Sequence, residues 1–216
     1  MATEKQLFRL LLWGILFGYM EAAVVVYLQE IYYPDGFTFP LKNILGSVLW
    51  TEVGREAATL LIMAATAALA FERLQSRVAA FAVLFGVWDL CYYLFLKLVL
   101  DWPEEPGTWD LLFLIPLPWV GPVWAPMLVS VMLVIAGSAL LLRNAQEHYP
   151  AFDRAFLLGE VAAGTLIVAS FLLAGSCVLQ GRAPEGFAWP LFLAGLLLGT
   201  AAFLRSLYGG GGSLDR

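Results

Sequence analysis

What is scarce in this chain narrows its function before anything abundant is read. The single histidine, His148, sits in a polar EHYP stretch, so histidine-based zinc, haem and di-iron schemes lack their ligands, and neither haem nor zinc is expected. The two cysteines, Cys91 and Cys177, make no CxxC pair and no metal-ligand spacing, and read as small apolar packing residues. Charge is thin: 13% of residues are charged, against about 25% in a soluble domain. The net charge of −5 comes without a Lys/Arg cluster that could neutralise phosphates, which excludes nucleic acid as a partner. No GxSxG, HExxH, P-loop, GxGxxG or Asp-rich diphosphate motif occurs, so serine hydrolysis, zinc proteolysis and nucleotide binding have no support.

What is present in excess is hydrocarbon. At 61% hydrophobic residues and a mean hydropathy of +0.81, the chain belongs in a lipid bilayer. Six runs approach the roughly 20 residues that cross about 30 Å of hydrocarbon: Leu7–Leu28, Glu52–Phe71, Val78–Leu100, Val123–Leu142, Ala155–Cys177 and Ala188–Tyr208. The expected fold is all-α, one six-helix membrane domain over residues 1–208. The first run is too long for a cleaved signal peptide, carries Glu21 and lacks a small-residue cleavage site, so it is expected to stay as a helix. Residues 209–216 read as a flexible Gly-rich linker foreign to the fold.

The basic residues orient the spans. With the N-terminus inside, Lys5, Arg9, Arg73, Arg77, Arg143, Arg154, Arg205 and Arg216 flank the cytoplasmic ends, and Lys42, Arg55, Lys97 and Arg182 fall on the outer side. Both termini are therefore expected in the cytoplasm of a cell with this chain in its inner or plasma membrane. Acid goes the other way, with Glu30, Asp35, Asp101, Glu104, Glu105, Asp110 and Glu185 in outer loops. Two of those loops are unusually apolar. Residues 30–51 combine Tyr32, Tyr33 and Trp50 with Pro34 and Pro40, a composition suited to the membrane interface. Residues 102–126 carry Pro116, Pro118, Pro122 and Pro126 and cannot form one helix. A short helix over Asp110–Ile115, with Thr108 near its N-cap, then an extended PLPW and a turn at Gly121-Pro122, would make an outer-leaflet hairpin over the first three spans.

The two parts of the chain differ in kind. The part up to about residue 126 holds the polar residues; from about 127 to 208 the one candidate intramembrane charge is Glu160, and small residues abound, including the GxxxG of Gly195 and Gly199. Gly14 and Gly18 make another GxxxG in the first span. Such faces allow close helix packing, within one chain, in a homo-oligomer or in a larger membrane complex.

Ionised side chains at membrane depth are costly, so they must face protein, water or one another. The third span places Asp89, Tyr93 and Lys97 at i, i+4 and i+8. At about 1.5 Å per residue, Glu56 and Lys97 each lie roughly 6 Å below the outer boundary and are natural partners, while Arg55 reaches back to Glu52. Glu21 and Asp89 fall deeper, roughly 12 and 18 Å down, with no cation of their own.

Glu21, Glu52, Glu56 and Asp89 against Arg55 and Lys97 leave two negative charges uncompensated, which a low-dielectric site does not tolerate. Three outcomes satisfy the balance. Glu21 or Asp89 carry protons; or both ligate a hard divalent cation, Ca²⁺, Mg²⁺ or Mn²⁺, through oxygen; or an organic cation or lipid headgroup sits among Trp88, Tyr92, Tyr93, Asp110, Trp119 and Trp124. The same contacts could serve only to fix helix register, but six charges on three neighbouring spans exceed what register requires. The sequence thus points to a pocket open to the outside that binds or transports a proton, cation or small polar-headed ligand. The alternatives are an integral-membrane enzyme doing acid–base or metal-assisted chemistry on a lipidic substrate, and a structural subunit of a membrane complex.

Overall fold

The structure is a computed structural model that describes residues 2–34, 36–39 and 46–209, with side chains from residue 4 onward. The expectations attached to Asp35, Pro40, Lys42, Arg216 and the glycine tail beyond residue 209 lie outside the described residues. Six helices carry the chain: α1 (Ala2–Tyr32), α2 (Gly46–Ala70), α3 (Leu74–Leu100), α4 (Trp124–Ala145), α5 (Arg154–Leu179) and α6 (Trp189–Gly209). Each is long and apolar enough to cross a membrane, as in a multi-pass membrane protein, and each contains or nearly coincides with one expected run.

The third helix is the centre. Half of its apolar window is buried, against 17–28% for the other five, because α1, α2 and α4 all pack on it. Small residues permit the approach. A Cβ at Gly18 would lie 2.7 Å from the Trp88 carbonyl oxygen, and one at Gly86 would lie 2.5 Å from that of Ser130. Both GxxxG pairs are used inside the chain. Gly14 and Gly18 face Val87, Trp88 and Cys91 of α3, while Gly195 and Gly199 face Ala163, Ile167 and Glu160 of α5. Helix packing of this kind gains van der Waals contact where lipid offers no hydrophobic drive.

Between α3 and α4 the chain is not helical. Trp109–Phe113 (β1) and Trp119–Pro122 (β2) pair antiparallel, with Asp110 opposite Gly121, Leu111 opposite Val120, and an irregularity between Leu111 and Phe113. This overturns the short helix expected over Asp110–Ile115 and the turn expected at Gly121-Pro122. Pro116 and Pro118 push Ile115 and Leu117 out of the helical region, and the chain reverses there instead. Backbone groups of a segment buried among spans need partners, and strand pairing supplies them. Thr108 caps no helix: its hydroxyl accepts from the Glu105 N–H at 3.2 Å, and its carbonyl accepts from the Val123 N–H at 2.9 Å. The hairpin rests on α5, where Trp119 stacks on Phe171 with ring centroids 6.2 Å apart.

Candidate functional site

A cavity of about 160 Å³ opens at the end of the bundle where α1 finishes, α2 begins and α3 finishes. Three helices and the hairpin line it. Glu21 and Gln29 come from α1, Glu52, Arg55, Glu56 and Thr59 from α2, Trp88, Asp89, Tyr92 and Tyr93 from α3, and Asp110 to Leu114 from β1 and the reversal after it. Tyr33, Phe37 and Trp102 complete it at the loop end.

Each carboxylate is held by a different element. Arg55 lies between two of them, donating from Nε to Glu52 Oε2 at 2.8 Å and from Nη1 to Glu21 Oε1. Thr59, one helical turn along α2 and 4% exposed, lines the cavity with them. Glu56, facing the hairpin, accepts the Leu114 N–H on both oxygens, at 3.1 and 2.9 Å. Asp89 accepts the Ser130 hydroxyl of α4 at 2.7 Å. Asp110 accepts the Tyr93 hydroxyl on Oδ2 at 2.9 Å and its neighbour's N–H, from Leu111, on Oδ1 at 2.8 Å.

The structure therefore brings together Glu21, Glu52, Arg55, Glu56, Asp89, Tyr93, Trp88, Tyr92 and Asp110 around one cavity. Three residues singled out from the sequence are elsewhere. Lys97 does not meet Glu56; it is half-exposed, pairs with Asp101 at 2.7 Å and donates to the carbonyls of Asp101 and Pro103 at 3.2 and 3.0 Å. A long cation near a helix C-terminus finds unpaired carbonyls closer than a partner on another helix. Trp119 belongs to the Phe171 cluster, and Trp124, 41% exposed, packs on Trp189 at 4.3 Å. Nor is Glu21 without a cation, since Arg55 reaches it.

Sequence reasoning missed Ser130, Thr59 and the Leu114 N–H. A serine or threonine in an apolar helix carries no signal of its own, because such residues also serve plain packing or bond their own backbone, as Thr66 and Thr165 do here. Trp88 lines the cavity, is 5% exposed, and its indole N–H is sealed from solvent with no acceptor among the described residues.

With Lys97 gone and Asp110 added, five carboxylates face one guanidinium, a formal −4 when all are ionised. They are spread over three helices and a strand. Among the described residues, no three His, Cys, Asp or Glu side chains converge as ligands of one metal ion.

Asp110 lies outside the spans, and burial pushes its carboxyl up to about 6, with the Tyr93 hydroxyl and the Leu111 N–H pulling the other way. Because the folded chain holds this proton more tightly than the unfolded one, the stability tied to neutral Asp110 is complete below about pH 4 and is lost as pH rises to about 6. Asp110→Asn removes that dependence. Its thermal midpoint is expected to exceed the parent's at pH 7.5, by at most the equivalent of about 3 kcal/mol, and to converge with it near pH 4. Parallel midpoint curves for parent and variant between pH 4 and 8 would refute it.

No protein-family profile, curated protein or solved structure matches the chain, so any functional reading stands on this cavity and its chemistry.

Proposed function

We propose that this multi-pass membrane protein binds a small organic cation in the acidic cavity, from the extracytoplasmic side. One observation carries the reading: five carboxylates line the cavity, and Arg55 is the one basic side chain among its described lining residues. Buried like charges require compensation by protons or by a cation. Glu21 and Glu52 are neutralised in part by Arg55, whereas the donors that hold Glu56, Asp89 and Asp110 are all neutral. Scattered carboxylates beside the faces of Trp88, Tyr92 and Tyr93 suit a polyatomic cation better than a bare metal ion. The excess of Lys and Arg at the opposite end of the spans favours the extracytoplasmic assignment.

Binding from one side fits better than a through-path. Beyond Thr59 and Asp89, toward the other end of the bundle, α1, α2 and α3 meet through Leu10, Met63, Ala67, Val83, Leu84 and Val87, each 8% exposed or less. A polar solute has no partners along that floor.

Choline is the probe. At a hundredfold excess over its dissociation constant, it is expected to raise the thermal midpoint of the purified protein by about 5–10 °C over sodium chloride of equal ionic strength. The Glu56→Gln/Asp89→Asn double variant is expected to show no such rise. An equal rise with sodium chloride, or one retained by the double variant, sinks the reading.

A further inference from the structure

The cavity has a side as well as an end. Helices α1 and α2 both pack on α3, yet their backbones scarcely approach one another, and the Arg55–Glu21 ion pair spans the space between them. Beside that ion pair the two helices add hydrocarbon to the cavity wall: Val25 and Leu28 from α1, Val48 from α2. The loop end is differently built. There Phe37 and Tyr93 each pack against Trp102, with ring centroids 6.2 and 6.4 Å apart, and the hairpin is tied across by Leu114 to α2 and by Asp110 to α3. Aromatic rings and a tied strand close the loop end, and aliphatic side chains line the side between α1 and α2.

From this geometry, and resting on the cation-binding reading above, we infer that the natural ligand is a membrane-dissolved amphiphile. Its cationic head occupies the acidic cavity and its hydrocarbon tail leaves between α1 and α2. The cavity, at about 160 Å³, is close to the 150 Å³ or so that admits benzene, so the head is on the order of six heavy atoms. A compact organic ammonium carried on an acyl or alkyl chain meets both requirements: charge for Glu56, Asp89 and Asp110, and hydrocarbon for Val25, Leu28 and Val48. A purely hydrophilic cation would leave the aliphatic gap without a role.

The full-length protein in nanodiscs of neutral lipid tests this with two photoactivatable probes of equal chain length. Both carry a mid-chain diazirine, one with a choline-type head and one with a neutral alcohol. The cationic probe is expected to label peptides of α1 and α2 about tenfold more than the neutral one, and excess choline is expected to suppress that labelling. Equal labelling by the two probes, alongside a midpoint rise with choline, overturns the amphiphile and leaves cation binding standing. Absence of both the selective labelling and the choline effect overturns both. Labelling that maps to α5 and α6 overturns the route between α1 and α2.

Discussion

Replacing Arg55 with glutamine is expected to lower the thermal midpoint of the purified protein by about 6–20 °C, the equivalent of roughly 3–5 kcal/mol for a buried ion pair broken on one side. The side chains involved are little exposed: 22% for Arg55, 11% for Glu21 and 14% for Glu52. Arg55 meets Glu52 through both Nε and Nη2 and Glu21 through Nη1, so its loss leaves two carboxylates facing each other across the space between α1 and α2. Neither can be re-paired by Lys97, which is held at the end of α3. The cost therefore comes from what remains, and removing the remainder restores stability. Glu21→Gln and Glu52→Gln added to Arg55→Gln should recover most of the lost midpoint, because neutral groups of similar volume often replace a buried ion pair without penalty. Arg55→Lys should fall between, since one ammonium cannot reproduce the guanidinium fork. The set of variants forms a thermodynamic cycle whose coupling measures the triad directly. A single-variant midpoint within about 2 °C of the parent's would mean that the triad does not hold α1 to α2.

The contrast between Lys97 and Arg55 shows which part of the site was legible. Depth along a helix can be counted from sequence, and it puts Lys97 and Glu56 at one height. Direction around the helix drifts: at 3.6 residues per turn, four residues overshoot by about 40° and eight by about 80°. Tyr93 therefore stays on the cavity side of α3 with Asp89, and Lys97 turns to the flank, where it is exposed. The local Arg55–Glu52 contact, three residues apart, could be read in advance. Contacts 34, 41 and 58 residues apart, from Arg55 to Glu21, Ser130 to Asp89 and Leu114 to Glu56, depend on which helices become neighbours, and no periodicity encodes that. The spans themselves were legible because twenty-residue apolar runs have few other uses. The hairpin was half legible. Its prolines excluded a continuous helix, but Trp109–Phe113 contains no β-branched residue, and the strand preference of Trp109 and Phe113 alone does not outweigh the helix-forming leucines between them without pairing to β2.

That pairing makes the cavity depend on a helix that contributes nothing to its lining. A Cβ at Gly175 of α5 would lie 1.9 Å from the Pro118 carbonyl oxygen and 2.9 Å from its carbon. The obstacle is backbone of the hairpin's reversal, which no side-chain rotation can clear, so any substitution must push the hairpin off α5. Gly164, on the same helix, has nothing within 4 Å of where its Cβ would sit. Alanine in a helix interior gains about 1 kcal/mol over glycine, so Gly164→Ala is expected to hold or raise the midpoint. Gly175→Ala carries the same propensity gain and should nonetheless lower it, by the equivalent of about 1–3 kcal/mol for overpacking. The displacement does not stop at α5. The same hairpin places Asp110 against Tyr93 and the Leu114 N–H against Glu56, and shifting it strips Glu56 of that donor. Gly175→Ala is therefore expected to weaken choline binding several-fold, while Gly164→Ala leaves it unchanged. Two identical substitutions eleven residues apart on one helix, opposite in sign for stability and separable in binding, isolate the hairpin as the element that completes the site. Equal affinities in the two variants would show that the cavity is formed by α1, α2 and α3 alone.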